Sequence, residues 1–76
     1  MNPRVVQVVA NDDYSLMVTF TNSEVKCFNV KPYLDYGIFK ELKDLSIFKT
    51  AYVSMGTVCW TGGQDFCPDT VYEEGQ

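Results

Sequence analysis

The sequence predicts a small α+β fold: an antiparallel three-strand meander, then a helix packed on one face of the sheet, then a hairpin. Three observations carry this. The first thirty residues hold three β-branched or alternating apolar runs separated by turn clusters, the segment from Ile38 to Leu45 carries apolar residues at helical spacing, and 76 residues leave room for only one core. One α+β domain is therefore expected over residues 1–76. A chain this long should have a radius of gyration of roughly 11 Å and no room for a deep ligand pocket.

The elements follow in order. Val5 to Val9 is β-branched and ends at the turn-like Asn11-Asp12-Asp13, so it reads as the first strand. Tyr14, Leu16, Val18 and Phe20 alternate with more polar neighbours, which predicts a second strand buried on one side. Thr21 to Glu24 is a turn cluster in which Asn22 is expected to take the positive φ of a tight hairpin. Val25 to Val30 is the third strand; Val25 and Cys27 fall on one face and Phe28 and Val30 on the other, which predicts partial cover on both.

Pro32 suits the first turn of a short helical segment at residues 31–36 that Gly37 can close. Ile38, Phe39, Leu42 and Leu45, with Lys40, Glu41, Lys43 and Asp44 opposite, predict an amphipathic helix on the sheet, Lys40 and Asp44 lying one turn apart. Phe48 to Val53 is expected as a fourth strand, Met55-Gly56 as a turn, and Thr57 to Trp60 as a fifth strand that Gly62-Gly63 ends. Pro68 then opens a C-terminal helix from Asp69 to Glu74, with an acid at the end of the helix dipole that favours it.

Composition narrows the chemistry. At 46% hydrophobic and 14% aromatic the chain has enough apolar material to fold, and most of its aromatic residues are needed for that. Six Lys and Arg against ten Asp and Glu leave a net charge of -4 with no basic cluster, which argues against direct binding to nucleic acid or to an anionic membrane. A signal peptide and a long apolar span are both missing, so a cytoplasmic protein is expected. Cys27, Cys59 and Cys67 cannot all pair within one chain and lack C-x-x-C spacing; reduced thiols in a core are expected.

The chain contains no histidine, which removes the Ser-His and Cys-His couples and the commonest general base near neutral pH. Phosphate-loop, dinucleotide and nucleophile-elbow patterns are also missing, and Asn11-Asp12-Asp13 does not fit a calcium loop. No cofactor or metal is expected. Asp65, Asp69 and Glu73 have the spacing of carboxylates on one helix face, but Pro68 interrupts that helix and they read as solvated acids. Cys67 precedes a helix start, where a thiol can become more acidic, yet it has no neighbouring base in sequence. The weak binding candidates are Trp60, Gln64, Asp65 and Asp69: a Trp at a strand end beside a polar loop can anchor a partner, although core packing is the role favoured for Trp60.

The string from Trp60 to Tyr72, with Phe28 to Leu34 and Gly37 to Leu42, resembles the bacterial domain-of-unknown-function family 2442 nearly end to end, Phe48 falling in the expected order between them. The resemblance implies a small prokaryotic α+β domain with no established activity, catalytic residue or cofactor. Some similar members continue into a helix-turn-helix and some are encoded beside another small protein, which suggests the antitoxin-like or regulatory member of a pair. This chain departs from the pattern at Asn29, where an acid is usual, and at Asn22-Ser23, where a Gly commonly follows the first residue.

The functional expectation is a non-catalytic interaction module that binds another protein or itself through an exposed sheet edge or the loop from Trp60 to Asp65. The alternative is a small-ligand binder or thiol-dependent enzyme using Cys67. A DNA-regulatory role would need a basic partner.

Overall fold

Three N-terminal runs form the expected meander: β1 (Val5–Ala10), β2 (Ser15–Phe20) and β3 (Val25–Asn29) pair antiparallel in the order β1-β2-β3. The computed structural model describes residues 2–76, with a radius of gyration of 11.3 Å, the size expected for the length. The alternation read in β2 is real: Leu16, Val18 and Phe20 are buried while Met17 is exposed. In β1 a bulge between Val5 and Gln7 shifts the register, so that Val5 packs inward and Val6 is exposed.

The β2–β3 turn places the positive φ on Ser23 (71°), not on Asn22. Asn22 accepts a hydrogen bond from the Glu24 amide through Oδ1 at 3.0 Å, and that Asx bond fixes Asn22 one position earlier in the turn. β3 is covered on one side only: Phe28 and Val30 are buried, whereas Val25 and Cys27 face solvent. Among the described residues Val25 and Cys27 stay exposed on that outer side, which corrects the expectation of two covered faces.

The largest departures lie in the middle of the chain. The expected short helix after β3 is a 3-10 turn over Lys31–Tyr33, and the expected amphipathic helix is a 3-10 run over Gly37–Lys43 followed by a separate helix α1, Leu45–Phe48. The break is Asp44, extended at φ -75° and ψ 111°, whose carboxylate accepts from the Ser46 amide at 3.0 Å and the Ser46 hydroxyl at 2.7 Å. An Asp that caps a new helix cannot also continue the preceding one. Phe48 therefore ends a helix and does not begin a strand; the strand β4 is only Tyr52–Ser54. Lys40 and Asp44 are not ion-paired; Lys43 pairs with Asp35 at 2.8 Å instead.

The hairpin is present as β4 and β5 (Thr57–Cys59), and it belongs to a second sheet with a strand the sequence did not reveal, β6 (Asp65–Phe66), in the order β4-β5-β6. Met55 and Gly56 both have positive φ, 52° and 77°, as a two-residue hairpin turn of this hand requires. That turn ties the two sheets together. The Val5 amide donates to the Gly56 carbonyl at 3.0 Å, and the Arg4 guanidinium donates to the Met55 carbonyl. The C-terminal helix α2 (Pro68–Glu74) starts where Pro68 was expected to start it, and buries Val71.

Both sheets and the helical segments share one core. Phe66 sits at its centre, stacked on Phe39 at a centroid distance of 4.9 Å and edge-on to Phe28 and Tyr33 at 5.0 Å each. A two-residue strand is thus held mainly by the aromatic side chain it delivers.

Candidate functional site

Between Trp60 and Asp69 the chain makes a turn, the short strand β6 and the start of α2. Gly63 donates to the Trp60 carbonyl at 3.2 Å, and Trp60 donates to the Gln64 carbonyl at 3.0 Å. The turn divides the four candidate residues. Trp60 is 2% exposed and Gln64 1%, while Asp65 and Asp69 are on the surface.

Trp60 takes the core role. Its ring lies 5.9 Å from Phe48 and from Phe66, and its indole Nε1 donates to the Phe48 carbonyl at 2.8 Å. The carbonyl it satisfies belongs to the last turn of α1, one of the groups a helix end leaves open. Gln64 is a second internal tie: Nε2 donates to the Ile38 carbonyl at 2.7 Å, fixing the 3-10 run to the loop. Its Oε1 is buried with no hydrogen-bond partner. A Cβ at Gly62 would lie 2.8 Å from that oxygen and 3.1 Å from Glu41 Oε2, so a larger residue there would displace the Gln64 amide or the Glu41 carboxylate. What this stretch offers to solvent is Thr61, Gly62 and Gly63 with Asp65, Cys67 and Asp69; the two larger candidates hold it in shape from beneath.

The thiols are not core residues as a set. Cys27 and Cys67 are exposed, Cys59 is half-buried, and all three are free. Cys67 caps the start of α2 with its Sγ 3.2 Å from the Thr70 hydroxyl, and hydrogen bonding from Thr70 holds its pKa below the usual thiol value. Burial pushes Cys59 the other way. Among the described residues, no three His, Cys, Asp or Glu side chains are grouped as metal ligands, and no helix is long and apolar enough to cross a membrane.

A surface the sequence reading did not single out is the outer face of the meander. Cross-strand registers align Val9, Met17 and Cys27 in one row and Gln7, Thr19 and Val25 in the next. None of the six is charged, in a chain with sixteen charged side chains and a net charge of -4. Val9, Met17 and Val25 are 49%, 41% and 54% exposed. The signal lay in the second half of each alternation: once the inward residues are assigned, the outward ones read as an uncharged set.

The edge of this face is joined to the segment that follows α2. Cys27 and Gln76 exchange two backbone hydrogen bonds, each 2.9 Å long. Beside them is an open groove of about 350 Å³ lined by Cys27, Asn29, Glu74 and Gln76.

The family model described as "Protein of unknown function (DUF2442)" matches residues 5–76. The chain belongs to the DUF2442 family. The match runs from the first residue of β1 to Gln76 and so includes both sheets, both α-helices, the outer face and the loop. No curated protein and no solved structure matches this DUF2442 chain.

Proposed function

We propose that this DUF2442 chain is a non-catalytic protein-interaction module, working in the cytoplasm, that uses the outer face of the meander as its contact surface. The observation that supports this is the two-row patch of Gln7, Val9, Met17, Thr19, Val25 and Cys27: uncharged throughout and exposed except at the half-buried Thr19, in an otherwise acidic chain. Contiguous apolar patches on a small domain mark contact surfaces more often than chance, because leaving them in water is unfavourable by about 25 cal/mol per Å². The exposed part of the Trp60 to Asp69 loop, with Asp65 and Asp69, supplies a polar surface where a basic partner could add contacts. In an antitoxin-like or regulatory pair, a basic partner would be steered by the net charge of -4 and the complex would weaken with salt.

The test is a quantitative pull-down from the native host. The Val9→Lys, Met17→Lys double variant should lose the proteins that the unaltered chain captures, while Met55→Lys, at the exposed hairpin tip of the second sheet, should retain them. Equal capture by both variants would rule out the outer face.

A second reading rests on Cys67. Its exposed thiol, made more acidic by Thr70, suits a small-ligand binder or a thiol-dependent reaction. No basic side chain is hydrogen-bonded to it, which is why the interaction reading comes first.

A further inference from the structure

We propose that Gln64 Oε1 and the Glu41 carboxylate form a two-oxygen notch that takes a primary ammonium on an unbranched alkyl stem, as a lysine side chain or a free alkylamine presents it. The inference goes beyond the interaction-module reading and uses none of the six residues of the outer face.

Gln64 is 1% exposed and its Oε1 has no hydrogen-bond partner, while Nε2 is anchored on the Ile38 carbonyl at 2.7 Å. That anchor fixes which way the amide faces, because only its NH2 end can donate to a carbonyl. Oε1 is thereby aimed at Gly62: the point where a Cβ of residue 62 would stand lies 2.8 Å from Oε1 and 3.1 Å from Glu41 Oε2. Two oxygens that close to one point can both be reached by a single donor nitrogen at hydrogen-bond lengths of about 3 Å. Glycine at 62 keeps the notch clear of a side chain, and Thr61, Gly62, Gly63 and Glu41 are all exposed, so the approach is from solvent.

The two oxygens define the ligand. An amide oxygen and an ionised carboxylate only accept, so the occupant must donate to both. Water can do so, but only a cation also answers the carboxylate charge. Among the described residues Glu41 has no ion pair: Lys43 and Lys49 are taken by Asp35 and Asp12, and Lys40, next to Glu41 in sequence, makes none.

Among cations, a guanidinium is a planar fork matched to the two oxygens of one carboxylate, whereas acceptors on two side chains converging on one point suit the compact, three-donor ammonium. A hard metal ion takes about six oxygens, more than this notch brings together. Oε1 lies beneath the surface, so the charged head must seat below the rim, which excludes a bulky quaternary amine. The stem meets Ile38, whose carbonyl holds the amide and whose side chain is 53% exposed, and a methylene chain laid on it covers apolar surface. The net charge of -4 favours the approach of any such cation.

The experiment is a titration of the isotopically labelled chain, read by nuclear magnetic resonance at the side-chain amide of Gln64 and the backbone amide of Gly62. The probes are n-butylammonium and N-acetyl-lysine methylamide; guanidinium, tetramethylammonium and sodium, at equal ionic strength, are the controls. Both probes should shift the two signals saturably and the controls should not. Glu41→Gln, at an exposed position, should keep the fold and weaken binding about tenfold or more. Gly62→Ala, which puts a methyl at the shared point, should abolish it, the rest of the spectrum registering the fold of both variants. Tighter binding of the lysine derivative assigns the site to a partner's lysine, and tighter binding of butylammonium assigns it to a free amine. No saturable shift, as from a bridging water only, an equal shift from sodium, or unaltered affinity in Glu41→Gln overturns the proposal. The Val9→Lys, Met17→Lys variant should bind the ammonium as the unaltered chain does, so loss of the notch leaves the outer-face reading standing, and loss of that reading leaves the notch.

Discussion

The indole nitrogen of Trp60 donates to the carbonyl of Phe48 across 2.8 Å of buried space, joining the end of the second sheet to the end of α1. Trp60→Phe keeps most of the ring but leaves that carbonyl unsatisfied in the core. A buried acceptor without a partner costs about 1–3 kcal/mol, so urea denaturation should show a loss of that size at an unchanged denaturant slope. An unaltered midpoint would mean water reaches Phe48.

Gly56 should be the least replaceable glycine of the second sheet. It has φ +77°, and a Cβ there would run into Arg4 Nε and lie 2.9 Å from Arg4 Cβ, in the contact that ties the hairpin to β1. Gly63 has φ +96° with nothing within 4 Å of its would-be Cβ. Both alanine variants carry backbone strain of order 1 kcal/mol; Gly56→Ala should cost more than Gly63→Ala in thermal denaturation, by the additional steric conflict. The reverse order would show that the Arg4 contact does not hold the sheets together.

Tyr33 should titrate late. Its hydroxyl donates to Glu74 Oε1 at 2.5 Å, and that bond, helped by burial, pushes its pKa from 10.0 up to about 12. The folded state keeps this proton more tightly than the unfolded chain does. The contribution to stability is therefore complete below pH 10 and is lost as pH rises from 10 to about 12. Ultraviolet titration of tyrosinate should show a late fraction that disappears in Tyr33→Phe and moves to lower pH in Glu74→Gln. A late fraction unchanged in Glu74→Gln would assign the shift to another cause.

The three thiols should separate by rate. Cys67 is exposed with a lowered pKa, Cys27 is exposed, and Cys59 is half-buried with a raised pKa. Alkylation near pH 8 followed by peptide mass spectrometry should give the order Cys67, Cys27, Cys59, with Thr70→Val slowing Cys67 alone. If Cys67 reacts no faster than Cys27, the thiol-dependent reading loses its basis.

What the sequence disclosed follows the range of each interaction. The meander, the Met55-Gly56 turn and the start of α2 at Pro68 depend on local alternation and turn chemistry, and were legible. The 3-10 run was not, because Ile38, Phe39, Leu42 and Leu45 have the same apolar spacing whether or not Asp44 breaks the run; the Asp44–Ser46 pair was the available sign. β6 was hidden because two residues carry no period, and Phe66 is placed by aromatic contacts from four other segments. Of the candidate residues, Asp65 and Asp69 reach the surface and Trp60 takes the core role the sequence favoured, whereas burial of Gln64 depends on Ile38, a distant position that a local reading does not join to it. The outer face needed the register between strands, which sequence alone does not supply.

The central claim is that the outer face of the meander meets another polypeptide, and photo-crosslinking in the native host tests it most directly. A benzophenone amino acid placed at Met17, in the middle of the Val9–Met17–Cys27 row, should give a discrete adduct: twice the mass of the chain for a second copy, or a different defined mass for another partner. The same group at Met55, on the exposed hairpin tip, should give none. An absence of adduct at Met17, or the same diffuse pattern from both positions, would contradict the account.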